Sequence, residues 1–285
     1  MIISNLHKAF AVSAIAALGL APAAYADEDA VLIVNEELEL VTRTAAPEHM
    51  DLDEVISGWV FRSSETQALQ MDDFENPGMI QVESGLEAWD TVEGSEGKSC
   101  ASCHGDIETS MQGVRAEMPK YNDAAQDLWS LENYINFCRE ERMGAEPLGW
   151  DSTEMVNMTA AISLQSRGMP VAVKIDGPAE IYWEQGKDLY YTRNGQLELS
   201  CANCHEDNYG NNIRADHLSQ GQINGFPTYR LKTTKLGSIH NRFKGCIRDT
   251  RAETYKSGSA EFRALELYVA SRGLGLSIEG VSVRN

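Results

Sequence analysis

Beyond its N-terminus the chain has no apolar run long enough to cross a bilayer. Basic residues are few: 24 Lys and Arg stand against 43 Asp and Glu, a formal net charge of −19. That acidity argues against nucleic acid and against anionic membrane as partners. Cysteine is limited to six positions in 285 residues. Methionine occurs ten times but is absent after Met169. Any metal centre in the last third of the chain must therefore find its ligands among other residues.

Four of the six cysteines fall in two segments, Cys100-Ala-Ser-Cys103-His104 and Cys201-Ala-Asn-Cys204-His205. Cys-x-x-Cys-His is the attachment signature of c-type haem: two thiols add to the haem vinyl groups and the adjacent histidine supplies an axial nitrogen. A zinc site would want four convergent ligands, and a thiol–disulfide pair needs no following histidine. Two such motifs imply two covalently bound haem c groups. The N-terminus fits this chemistry. His7 and Lys8 precede the apolar stretch Ala9 to Ala23, and Ala24-Tyr25-Ala26 offers a small-x-small cleavage site. A signal peptide over residues 1–26 implies export, here to the periplasm of a bacterium, where c-type haem is attached.

An internal repeat organises the rest. The haem motifs lie 101 residues apart, Cys100 to Cys201. Ser166-Arg-Gly168 and Ser271-Arg-Gly273 each close an apolar-periodic segment, and Leu131, Asn133 and Cys138 echo Ile239, Asn241 and Cys246. Each half reads as haem motif, loop, cysteine and final amphipathic helix. The expected fold is mainly α: two tandem cytochrome c-type domains with an N-terminal extension. Residues 27–172 hold the extension and the first domain, and residues 173–285 hold the second. Helices are expected over Ser64–Met71, Ser84–Trp89, Leu128–Met143, Ser152–Gln165, Glu180–Leu189 and Ser259–Ser271. Ala30 to Val41 alternates as a strand would. Val171 to Gly177 reads as a linker, and the extension is expected to cover the first domain.

The sixth position of each iron is the informative one. Methionine is the usual distal ligand of an electron-transfer c haem, yet the second half has none. Its candidates are His217, His240 and Cys246. The first half has methionines, among them Met111, Met118, Met143, Met155, Met158 and Met169, but Cys138 occupies the register of Cys246. Thiolate ligation at both irons accounts for a cysteine at both points. A Cys138–Cys246 disulfide is the competing use of these thiols in an oxidising compartment. Cys246 lies in Arg242-Phe-Lys244-Gly-Cys246-Ile-Arg248. Three cations there would favour a thiolate and could bind a small dianion; Cys138 follows the apolar run Tyr134 to Phe137.

On these residues the chain resembles the SoxA family, the diheme subunits of SoxAX cytochromes with L-cysteine S-thiosulfotransferase activity. The paired motifs, Cys138, Arg242-x-x-x-Cys246 and the stretch Ser64-Glu-Thr-Gln-Ala-Leu-Gln-Met71 with Asp73-Phe-Glu-Asn-Pro-Gly78 carry the resemblance. It implies His104 and Cys138 as axial ligands of haem 1, and His205 and Cys246 as those of haem 2. It also implies Cys246 as the catalytic sulfur, held as a persulfide, and Arg242 as the thiosulfate-binding arginine. The implied partners are a SoxX-like monohaem cytochrome, a SoxYZ-like sulfur carrier and a cytochrome c electron acceptor. A plain diheme electron-transfer cytochrome is the alternative, and a diheme peroxidase a third reading.

Overall fold

A computed structural model describes residues 30–214 and 216–285; the signal peptide expected over 1–26 lies outside them. The helices are α1 (Ser64–Met71), α2 (Met79–Asp90), α3 (Cys100–His104), α4 (Ile107–Ser110), α5 (Leu131–Cys138), α6 (Thr153–Leu164), α7 (Glu180–Tyr191), α8 (Cys201–His205), α9 (Ile239–Asp249) and α10 (Ala260–Arg272). Six of them begin at a serine (63, 99, 152, 200, 238 or 259) whose hydroxyl accepts a backbone N–H from the first turn. Both haem motifs thus start as capped helical turns. The side chains of Ser102 and Asn203 return a bond to the Ser99 and Ser200 backbone.

The repeat is real in three dimensions. In the first half come α2, α3, the hairpin Lys120–Asn122/Asp127–Trp129, α5 and α6. The second half matches it with α7, α8, the hairpin Thr228–Arg230/Lys235–Gly237, α9 and α10. Each half is closed by the crossing of its first and last helices. A Cβ on Gly85 would stand 2.2 Å from the Asn157 carbonyl oxygen, and one on Gly186 would stand 2.0 Å from that of Ala264. Only glycine lets the two backbones meet so closely.

Several expected elements differ in detail. The helix expected from Leu128 begins only at Leu131, because Asp127–Trp129 pairs as a strand with Lys120–Asn122. Beyond α5 the backbone widens to a π turn over Arg139–Met143 and stops at left-handed Gly144. Ala30 to Val41 is a hairpin, Leu32–Val34 on Leu38–Leu40, rather than one strand. The segment expected as a linker is part of the core. Val171 and Val173 are buried among second-half side chains, and backbone bonds tie Ala172 to Ala116 and Val171 to Leu276. A second cluster crosses the junction, joining Val82, Val156 and Ala160 to Tyr229, Leu236 and Val281.

The extension packs chiefly on the second half, not the first. Its anchor is Glu279, 1% exposed, which pairs with Arg284 (2.6 Å) and accepts from Ser57, from Gln70 (2.9 Å) and from Asn224 (3.2 Å). Gln220 accepts from Ile56 N–H at 2.8 Å. Asp73 to Arg167, 2.8 Å, is a tie to the first half. A buried carboxylate with this many donors is satisfied, and it binds the extension and the C-terminal strand Ser282–Arg284 into one unit.

Where α5 and α9 begin, the halves share a buried polar cluster. Glu266 on α10 accepts from Ser130 Oγ (2.5 Å) and from His240 Nε2 (3.2 Å), while His240 Nδ1 accepts from Gly258 N–H (2.9 Å). Burial, then the charge of Glu266, pushes the Glu132 carboxyl up to about 7. Burial acts on Glu266 in the same sense, but His240, Arg115 and Ser130 outweigh it and hold its pKa below the ordinary value.

Gly186→Ala should destabilise the holoprotein by roughly 1–3 kcal/mol or more, read as a lower chemical-denaturation midpoint; an unchanged midpoint contradicts the crossing. Native Glu132 keeps its proton from the ordinary 4.5 up to about 7. The unfolded chain ionises first, so stability falls as pH rises across that window and is level above it, with a slope of at most about 1.4 kcal/mol per pH unit. Glu132→Gln should remove this slope in unfolding free energies measured between pH 4.5 and 8.

Candidate active site

Each cysteine-bearing helix is set opposite its haem motif by one local device. The turn before the motif closes on itself, Glu93 pairing with Lys98 and Asn194 with Leu199. It then docks on the end of the cysteine helix. Ser95 and Glu96 N–H donate to the Gly144 and Met143 carbonyls, and Leu197 N–H donates to that of Thr250. Gly94 and Gly195 make the approach possible, since a Cβ on either would lie 2.2 Å from a carbonyl oxygen of the docked segment. Cys138 consequently stands near Cys100 and Cys103, and Cys246 near Cys201 and Cys204. All six thiols are free. The Cys138–Cys246 disulfide is not formed, each thiol being held at its own motif.

The two sites differ around the thiol. In α5 the residue one turn before Cys138 is Tyr134; in α9 the residue one turn before Cys246 is Arg242. Residues four apart share a helix face. Burial raises the pKa of the Cys138 thiol, and only Arg142, which is exposed, works against it. Burial acts on Cys246 in the same direction, but the Arg242 charge and the His205 ring outweigh it, bringing the thiol to about 7. The thiolate is thereby favoured relative to an ordinary cysteine.

His205 is oriented from behind. Its Nδ1–H donates to the Ser219 carbonyl at 2.7 Å, which leaves Nε2 as the nitrogen available to a metal. Gly221, at φ +78°, lies against the ring, and a Cβ there would fall 2.8 Å from it. His104 rests on Trp89, ring centroids 5.7 Å apart, and Trp89 Nε1–H is held by the Gly105 carbonyl at 3.0 Å. Neither rival distal histidine is free. His240 is fully buried with both nitrogens engaged, as above, and His217 faces the Phe61 and Gly210 carbonyls at 3.1 and 2.8 Å. Met118, Met155 and Met158 fill the first-half core.

The cations are not those adjacent in sequence. Lys244 pairs with Asp151 at 3.1 Å, and Arg248 is exposed with its Nε–H on the Lys244 carbonyl. Arg230 and Arg62 instead share the field of Arg242. Burial first, then Arg284, Arg230 and Arg242, lowers the Arg62 pKa to about 10. Sequence reading missed both residues. The one available signal for Arg62 was a lone charge closing the apolar run Trp59-Val-Phe.

A Cys-x-x-Cys-His turn with an oriented histidine on one side and a distal side chain opposite defines a c-type cytochrome, here built twice in tandem. The fit to haem extends past the motif: Tyr190 and Arg272, close to Cys201, and Gln222, next to Gly221, carry buried polar atoms with no protein partner. The chain belongs to the SoxA/TsdA cytochrome c domain family, whose model matches residues 84–171 and 185–278. It is 56% identical to the L-cysteine S-thiosulfotransferase subunit SoxA of Rhodovulum sulfidophilum, over 91% of each chain. To the subunit of the same name from Paracoccus pantotrophus it is 58% identical over 94% of each. A crystal structure of SoxXA from P. pantotrophus superposes with a TM-score of 0.87 at 58% identity, covering 90% of this chain and 97% of that one. The mainly α fold of two tandem cytochrome c domains and covalent haem c follow from this membership.

Gly221→Ala should displace the His205 ring. The expected result is a changed visible and EPR spectrum of the holoprotein with a loss of roughly 1–3 kcal/mol in stability; a wild-type spectrum would sink the packing argument.

Proposed function

We propose that this protein is a periplasmic diheme cytochrome that conjugates thiosulfate to a cysteine of a SoxYZ-like carrier, working with a SoxX-like monohaem subunit. Haem 1 would be tethered by Cys100 and Cys103 with His104 and Cys138 as axial ligands. Haem 2 would be tethered by Cys201 and Cys204 with His205 and Cys246. The observation that carries the reading is the placement of Cys246, a half-buried free thiol beside Cys201 and Cys204 with Arg242 one turn before it on α9. A plain electron-transfer cytochrome has no use for an arginine one turn from its distal cysteine.

The overall conversion joins a carrier thiol, R–SH, to thiosulfate as R–S–S–SO3−. One S–S bond forms, one proton goes to solvent and two electrons leave. Bound haem would supply a one-electron outlet toward an external cytochrome c. The residues of the chain do the rest. Arg242 offsets the charge of the incoming dianion. Cys246, as a persulfide, would bond to the terminal sulfur of thiosulfate as two electrons leave; the carrier thiolate would then take the S–SO3− group by exchange, returning the persulfide. Ser219 keeps the His205 proton on Nδ1.

Cys246→Ala should abolish carrier-dependent thiosulfate oxidation, a loss of at least about 10³-fold, the scale seen on removing a nucleophile, while haem analysis of the wild-type chain returns two groups. Mass measurement of the wild-type Cys246 peptide should show one added sulfur. An unmodified thiol together with full activity in the variant would remove the transferase reading.

A further inference from the structure

We propose that Arg62 and Arg230 join Arg242 as a three-guanidinium site that holds the oxygen-bearing end of a tetrahedral dianion beside Cys246. The inference rests on the reading of Cys246 as the reacting sulfur and extends it to two residues outside the motif, one of them from the N-terminal extension. Three separate segments deliver these groups. Arg242 lies one turn before Cys246 on α9. Arg230 ends the strand Thr228–Arg230, in register with Arg284. Arg62 follows the buried run Trp59–Phe61 and reaches across to donate from Nη2 to the His217 carbonyl at 2.5 Å. The loop that accepts this bond goes on to Ser219, which holds His205.

Arg62, Arg230 and Arg242 are buried or half-buried and, like buried Arg115 beside Glu132 and Glu266 and the exposed arginines 142, 193, 214, 248 and 251, have no carboxylate within 4.0 Å among the described residues. Arginines 43, 139, 167, 263, 272 and 284 each have one. Arg62 is only 9% exposed, and its Nε is buried without a partner. Asp216 and Asp249 lie in the same field but make no contact ion pair with the cluster. Arg284 is spent on Glu279 and Gln70. Gathering like charges in a half-buried place costs free energy unless an anion joins them. Guanidiniums match the oxygens of a sulfonate in pairs. Gripping thiosulfate by its oxygens leaves its terminal sulfur as the end that faces Cys246.

Sulfate is an unreactive probe of the same shape and charge. Calorimetric titration of the holoprotein with sulfate should show binding that weakens about 10- to 100-fold in Arg62→Gln and in Arg230→Gln, the scale of one charge-assisted hydrogen bond. The KM for thiosulfate should rise by a similar factor with kcat within about threefold, and Arg62→Lys should recover part of the loss. The visible spectrum should not move. Wild-type sulfate affinity and KM in both Gln variants would overturn the proposal, as would a wild-type protein that binds no sulfate. If Arg62→Gln does not fold, Arg230→Gln and Arg62→Lys carry the same comparison. A protein that binds sulfate through these arginines yet keeps full thiosulfate turnover in Cys246→Ala refutes the transferase reading and leaves the anion site standing.

Discussion

A half-buried thiol that must ionise sets the terms for this molecule. Removing Cys246 from water favours its neutral form, and the penalty is met only by charge fixed nearby. Arg242 supplies that charge because both residues lie on one face of α9. The helix in turn is held at both ends: Ser238 caps its start and accepts the Asn241 N–H, and the turn before the second haem motif docks at Thr250. Were α9 free to slide or rotate, the arginine and the thiol would move together but would leave His205. The docked turn prevents this, and it depends in turn on Gly195.

Duplication gave both halves this scaffold, so differences between them mark what is particular to each. Glycine crossings, capped motif turns and docked glycines recur at matching points. The extension does not recur. It is fastened through Glu279 and Gln220 to the second half, and it brings Arg62 to the neighbourhood of Arg242 and Arg230. An element added to a duplicated fold and packed at one of the two sites implies that this site needed something the repeat could not supply. Positive charge is the commodity in question, in a chain with a net charge of −19.

Much of this was legible in order along the chain. The haem motifs, the repeat, the register of Cys138 with Cys246 and most helix ends rest on local spacing and capping, which sequence displays directly. Charge placement was read less well. Lys244 and Arg248 are neighbours of Cys246 in sequence, but on α9 they point elsewhere, and Asp151 from the other half claims Lys244. Arg62 and Arg230 are distant in sequence and meet Arg242 only through tertiary packing. The expected linker differs for a similar reason. Val171 to Gly177, flanked by prolines, looks like a hinge, yet Val171 and Val173 alternate into a core formed by both halves.

The paired cysteines show how one helical position separates two roles. Cys138 has Tyr134 one turn before it, and its nearest opposing cation, Arg142, is exposed and screened by water. Its ionised form has little protein support, so a metal bond is what would offset its burial. The ionised form of Cys246 is supported by Arg242 and His205. A sulfur whose anion the protein itself supports can serve as reactant as well as ligand. A sulfur stable only on the metal stays a ligand. In the proposed reaction this assigns sulfur chemistry to the second half, and it does so from the exchange of tyrosine for arginine on a shared scaffold.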